Sequence, residues 1–109
     1  MIEQILGSLN KERVLIFLAA RNEGYPREIA RYFDTDLAPI QNQMEKLEFG
    51  GILCSKLIGR TRLYSFNPRY PFLKELQALL IKTLDFYPEQ ELDNLTKNRR
   101  RPRKAGKPL

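Results

Sequence analysis

The chain has 109 residues, 42% hydrophobic and 29% charged, which suits one small folded domain with a modest core. Its longest apolar run, over 14–20, falls well short of the roughly 20 residues of a membrane-spanning helix. No basic leader precedes an apolar segment either, so a cytoplasmic protein is expected. With no His and a single Cys, the usual metal ligands, general bases, disulfides and thiol or hydroxyl dyads are missing, and no cofactor and no enzymatic chemistry are expected.

The first apolar residues, Ile2, Ile5, Leu6 and Leu9, are spaced for a short helix that Gly7-Ser8 interrupts. Asn10 is a candidate N-cap for a second helix to about Arg21, whose Val14, Leu15, Ile16, Phe17 and Leu18 form a wide core-facing surface. Asn22-Glu23-Gly24 ends it, with Gly24 able to take a positive φ. Pro26 then suits a first helical position, and Ile29, Ala30 and Phe33 follow on one face of a short helix that stops at Asp34-Thr35. Asp36 is a candidate N-cap for a third helix to about Phe49, which buries Ile40, Met44 and Leu47 and ends at Gly50-Gly51.

Beyond the glycines the period changes from about 3.6 to 2. Runs at 52–58 and 61–66 flank Gly59-Arg60, and Gly at the first central position suits a type II′ hairpin turn. Arg62, Tyr64 and Phe66 share one face of the second strand, and Thr61, Leu63 and Ser65 the other. Cys54, in the first, reads as a small core residue or a redox sensor. Asn67-Pro68 breaks the hairpin, and Pro71 opens a long helix to about Leu84 with an apolar stripe wider than one small domain requires. The acidic stretch 88–95 adds an amphipathic turn or two.

Helices followed by a tight helix–turn–helix and a hairpin make a mainly α protein with a β-hairpin wing, an α+β winged helix–turn–helix. The expected organisation is a winged domain over 1–87 that includes a C-terminal dimerisation helix, a short amphipathic extension over 88–96, and a disordered basic tail over 97–109. That tail carries Lys97, Arg99, Arg100, Arg101, Arg103, Lys104 and Lys107 and no acid. Residues 1–96 are left with 12 basic against 13 acidic residues, so the net charge of +6 resides in the tail. Such an arm either holds phosphate or simply solvates the chain end.

Tyr-Pro-Arg-Glu-Ile-Ala at 25–30, Leu-Ala-Pro-Ile-Gln-Asn-Gln-Met-Glu-Lys-Leu-Glu at 37–48, Gly-Gly-Ile-Leu at 50–53 and Gly-Arg-Thr-Arg-Leu-Tyr at 59–64 resemble a prokaryotic ArsR-type winged-helix regulator. MarR-like modules share much of this layout. The resemblance spans about 5–85 and implies a homodimer, paired through terminal helices, that binds operator DNA and represses transcription. Metal-sensing members carry paired cysteines where this chain reads Asp36-Leu37-Ala38-Pro39-Ile40, so no metal is expected and the effector stays open.

On helix 37–49, Ala38, Pro39, Gln41, Asn42 and Glu45 are the expected base-reading positions. Gln and Asn bond adenine bidentately, and Ala or Pro touches a thymine methyl. Arg27, Arg31, Lys46, Lys56, Arg60 and Arg62 are the expected backbone contacts, and Arg99, Arg100, Arg101, Arg103 and Lys104 extend them in the tail. Arg27 could equally pair with Glu23 or Glu28. Ile2, Ile5, Leu6, Leu73, Leu76, Leu80 and Leu84 are the expected dimer interface, consistent with a palindromic operator. The partner is then double-stranded DNA. A winged module that binds another protein, with a non-specific nucleic-acid-binding tail, is the alternative, and RNA binding through the tail a third reading.

Overall fold

The structure, a computed structural model, describes residues 1–97. The tail residues Arg99, Arg100, Arg101, Arg103 and Lys104 lie outside the described residues. In chain order the elements are α1 (Glu3–Leu6), α2 (Leu9–Arg21), β1 (Glu23–Gly24), α3 (Pro26–Tyr32), α4 (Leu37–Phe49), β2 (Leu53–Ile58), β3 (Thr61–Phe66), α5 (Leu73–Leu84) and α6 (Glu89–Lys97).

Helix α2 is the centre of the molecule. Val14 through Leu18 and Ala20 are all buried, because α4, α5 and α6 pack around it. Its N-cap is Ser8, whose Oγ accepts from the Lys11 amide at 3.0 Å. Asn10, expected in that role, lies inside the first turn and bonds Arg13 instead. At the other end Asn22, not Gly24, takes the positive φ of 76°. Gly24 is required for space: a Cβ there would stand 2.8 Å from the ring of buried Phe17.

Helices α3 and α4 form the expected helix–turn–helix. Asp34 adopts φ 53°, and the amides of Asp34 and Thr35 fold back onto the carbonyls of Arg31 and Ala30 at 3.2 and 2.9 Å. This closes α3 with a Schellman-type turn that an Asp tolerates. Helix α4 buries Ile40, Met44 and Leu47 and ends in the same way. Gly51 takes φ 82°, and Ile52 N–H reaches Leu47 carbonyl at 2.9 Å. Asp36 holds the N-cap position of α4 with extended backbone, but its carboxylate makes no capping bond.

The strands pair in regular register from Leu53↔Phe66 to Ile58↔Thr61, and of the two loop residues only Gly59 has a positive φ, 63°, as the type II′ turn requires. Instead of a bare hairpin the sheet has three strands in the order β1-β3-β2, because Glu23 and Gly24 pair with Ser65 and Tyr64. This ties the wing to the end of α2. Cys54 is half-buried, with Sγ 3.7 Å from both Ser65 Oγ and the Phe66 carbonyl.

One expectation changes at the C-terminal end. Leu80 and Leu84 are 0% and 7% exposed within the protomer, so part of the wide α5 stripe feeds its own core and cannot face a partner. Leu76 is partly buried against the same core, as are Ile2 and Leu6 of the N-terminal segment. Leu73 is half-buried, and Ile5 stands exposed. The amphipathic segment expected over 88–96 coincides with α6 from Glu89 onward, which packs on α2 with Leu95 fully buried. Arg21 fastens it: its Nε and Nη2 donate to the carbonyls of Leu95 and Asn94 at 2.9 and 3.3 Å. The same guanidinium lies over the Phe17 and Tyr32 rings at 4.5 and 5.1 Å.

Candidate nucleic-acid interface

With Ile40, Met44 and Leu47 turned inward, α4 presents Ala38, Gln41, Asn42, Glu45 and Lys46 to solvent. Pro39 is half-buried, so it adds little to that surface. The wing stands beside this helix. Between them lies a cleft of about 180 Å³ walled by Arg27 from α3, Gln41 and Glu45 from α4, and Arg60 and Arg62 from the wing. Five of the expected contact residues, from three elements, thus meet at one surface.

Arg31 lies outside this cleft. It lines an adjoining one of about 440 Å³ with Arg27 and Tyr32, so the two α3 arginines form a step beside the first group. Glu28, next to Arg27, pairs with the buried Arg21 at 3.8 Å and receives the Tyr25 amide at 3.2 Å. Lys56 is exposed but opposes Leu63, on the wing face turned away from Arg62.

Several residues of the site were not legible beforehand. Tyr64 closes the cleft floor. Its burial, with the carboxylates of Glu48 and Glu45, holds the hydroxyl above its ordinary pKa of 10.0, against Arg62, so it stays protonated at neutral pH. Ser55, its cross-strand neighbour, donates to Glu48 Oε2 at 2.7 Å and accepts from Arg62 Nη1 at 3.3 Å. This chain of bonds links the last turn of α4 to the wing arginine. Phe49, on the helical face of Asn42 and Glu45, is exposed. The only advance signal for these contacts was the hairpin register, which puts Ser55, Leu57, Arg62 and Tyr64 on one face.

Amides at Gln41 and Asn42 offer paired donors and acceptors, and Glu45 an acceptor, between cations suited to phosphate. Among the described residues no group of three or more His, Cys, Asp or Glu is placed to hold a metal ion. No described helix is long and apolar enough to cross a membrane.

The fold is found in solved structures. The apo form of the C30AH42A mutant of Lactococcus lactis ZitR superposes with a TM-score of 0.53 at 20% identity, over 88% of this chain and 87% of that one. A zinc-responsive MarR family member, Lactococcus lactis ZitR, superposes with a TM-score of 0.51 at 15% identity, over 83% of this chain and 69% of that one. The fold is a winged helix. No family model and no curated protein matches the chain. At these identities the likeness extends to architecture alone, and a chain with no His and one Cys does not inherit a zinc response from it.

Proposed function

We propose that this winged helix is a non-enzymatic transcriptional regulator that binds double-stranded DNA with sequence specificity, as a homodimeric repressor on a palindromic operator. The observation that carries the reading is the shared cleft, where Gln41 and Glu45 of α4 line one surface with Arg27 of α3 and with Arg60 and Arg62 of the wing, polar groups suited to base edges beside cations suited to phosphate. A major groove about 12 Å wide admits one helix, and the wing then lies over the neighbouring backbone. Within this reading Gln41 and Asn42 read adenine, Glu45 accepts from cytosine, Ala38 touches a thymine methyl with the half-buried Pro39 only at the margin, and Arg27, Arg31, Lys46, Lys56, Arg60 and Arg62 hold phosphates. The tail residues Arg99, Arg100, Arg101, Arg103 and Lys104 add sequence-independent affinity.

The residues left for dimerisation are the exposed Ile5 and the half-buried Leu73, and an apolar groove of about 490 Å³ lined by Ile2, Leu79, Thr83 and Phe86 adds to them. Two-fold pairing there would set the two α4 helices for half-sites one turn apart, roughly 34 Å. The ArsR-type resemblance and the MarR-family neighbours both support the layout, and the reading needs only what the two groups share.

Selection of bound duplexes from a random pool, followed by competition, tests it. The expected outcome is a two-fold symmetric consensus preferred over scrambled duplexes at moderate salt. Equal affinity for every sequence contradicts it.

A further inference from the structure

The wing tip carries two side chains that neither the core nor the cleft uses. Leu57 and Ile58, at the end of β2, are 62% and 42% exposed. As neighbours in a strand they point to opposite faces of the hairpin. Edge strands ordinarily carry charge at such positions, because exposed aliphatic carbon there invites aggregation. Here cations frame the aliphatic pair. Arg62 lies directly across from Leu57 on one face, Lys56 precedes Ile58 by two residues on the other, and Arg60 occupies the turn. No acid occurs anywhere in 52–66. Gly59, at φ 63°, closes the loop in two residues and keeps the tip one ribbon wide.

We infer that the wing tip is an apolar wedge for the minor groove of duplex DNA. Leu57 and Ile58 pack against the sugar walls and an opened base step, while Lys56, Arg60 and Arg62 hold the flanking phosphates. The inference rests on the regulator reading and adds a distortion of the duplex to it. Charge complementarity selects this occupant: a groove with anionic rims and apolar sugar and base faces between them matches a tip with aliphatic carbon framed by cations. Side chains that part a base step bend the duplex by roughly 20–90°. The deformation is easiest at pyrimidine–purine steps. The wing therefore selects TA or CA/TG steps at a position α4 never touches.

The double variant Leu57→Ser/Ile58→Ser tests this on the full chain, with the selected operator duplex labelled at both ends for energy transfer. Both positions are solvent-exposed, so the unfolding midpoint should match that of the parent, which separates loss of the wedge from loss of the fold. The parent is expected to shorten the end-to-end distance and to prefer a TA step under the wing over GG by about tenfold. The variant should keep its discrimination at the positions read by α4, yet leave the duplex straight and lose the step preference. A variant that bends DNA and selects the step as the parent does overturns the inference, as does a parent that binds a straight duplex. A wing-dependent affinity for phosphatidylglycerol vesicles in place of the bend would assign the tip to a lipid surface and also overturn it. Failure of the regulator reading itself would appear elsewhere, as an absence of any preferred duplex in the selection.

Discussion

Ser55 shows how a small side chain can set the position of a large one. Its hydroxyl accepts from Arg62 and donates to Glu48, so the wing arginine is held relative to α4 instead of sweeping through solvent. An exposed bond of this kind contributes at the low end of about 0.5–1.5 kcal/mol. Ser55→Ala should therefore weaken duplex binding about threefold, and a double-mutant cycle should find no further loss when Arg62 is already Ala. Additive losses would mean that Ser55 acts elsewhere. Tyr87 is a second single-residue tether, donating to the buried Glu12 carboxylate at 3.1 Å. Burial and then the Glu12 charge hold its pKa well above the ordinary 10.0. A folded-state pKa above the unfolded value gives stability that is complete below pH 10.0 and lost as the pH rises past it. Unfolding midpoints of the parent should fall steeply above that pH, and those of Tyr87→Phe should fall less. Neither tether shows in the sequence, since Ser55 finds its partners only through strand register and Tyr87 meets Glu12 across 75 positions.

Helix α4 and the wing were legible as elements because each has a pattern that local physics enforces. Ile40, Met44 and Leu47 repeat at four and three, and Gly59 supplies the positive φ that a two-residue loop demands. Helix α6 was only half legible. Glu, Gln, Asp and Asn dominate it, only Leu92 and Leu95 are apolar, and its seat depends on Arg21, 74 positions from Leu95. Strand β1 gave no signal at all, because a Glu-Gly pair has no strand propensity and pairs only where α2 delivers it to β3. The seating of α6 is testable by denaturant unfolding. Leu95→Ala empties a fully buried site and should cost about 2–5 kcal/mol. A cost within about 0.5 kcal/mol, the range of surface substitutions, would place α6 outside the cooperative unit.

For the whole molecule, charge and shape divide the work. Residues 1–96 are almost neutral in sum, so under the proposed function the attraction for a polyanion would come from local clusters at the cleft and from the basic tail. Removing 98–109 should leave thermal stability and sequence preference intact while reducing affinity. Every phosphate that the tail no longer neutralises should flatten the slope of log affinity against log salt by about 0.9. An unchanged slope would mean that the tail does not touch DNA. The residues free for the proposed dimer face were not legible in advance, because the apolar stripe of α5 does not reveal which of its residues the protomer keeps; Leu80 and Leu84 went inward.

The central claim is that the outer face of α4 reads base edges. It is tested most directly by comparing Gln41→Ala/Asn42→Ala with the parent on selected and scrambled duplexes at one salt concentration. The account predicts that discrimination collapses by about 1–3 kcal/mol for each bidentate amide–adenine pair removed, while affinity for scrambled DNA and its salt slope stay as they were. Undiminished discrimination in a folded variant would contradict it.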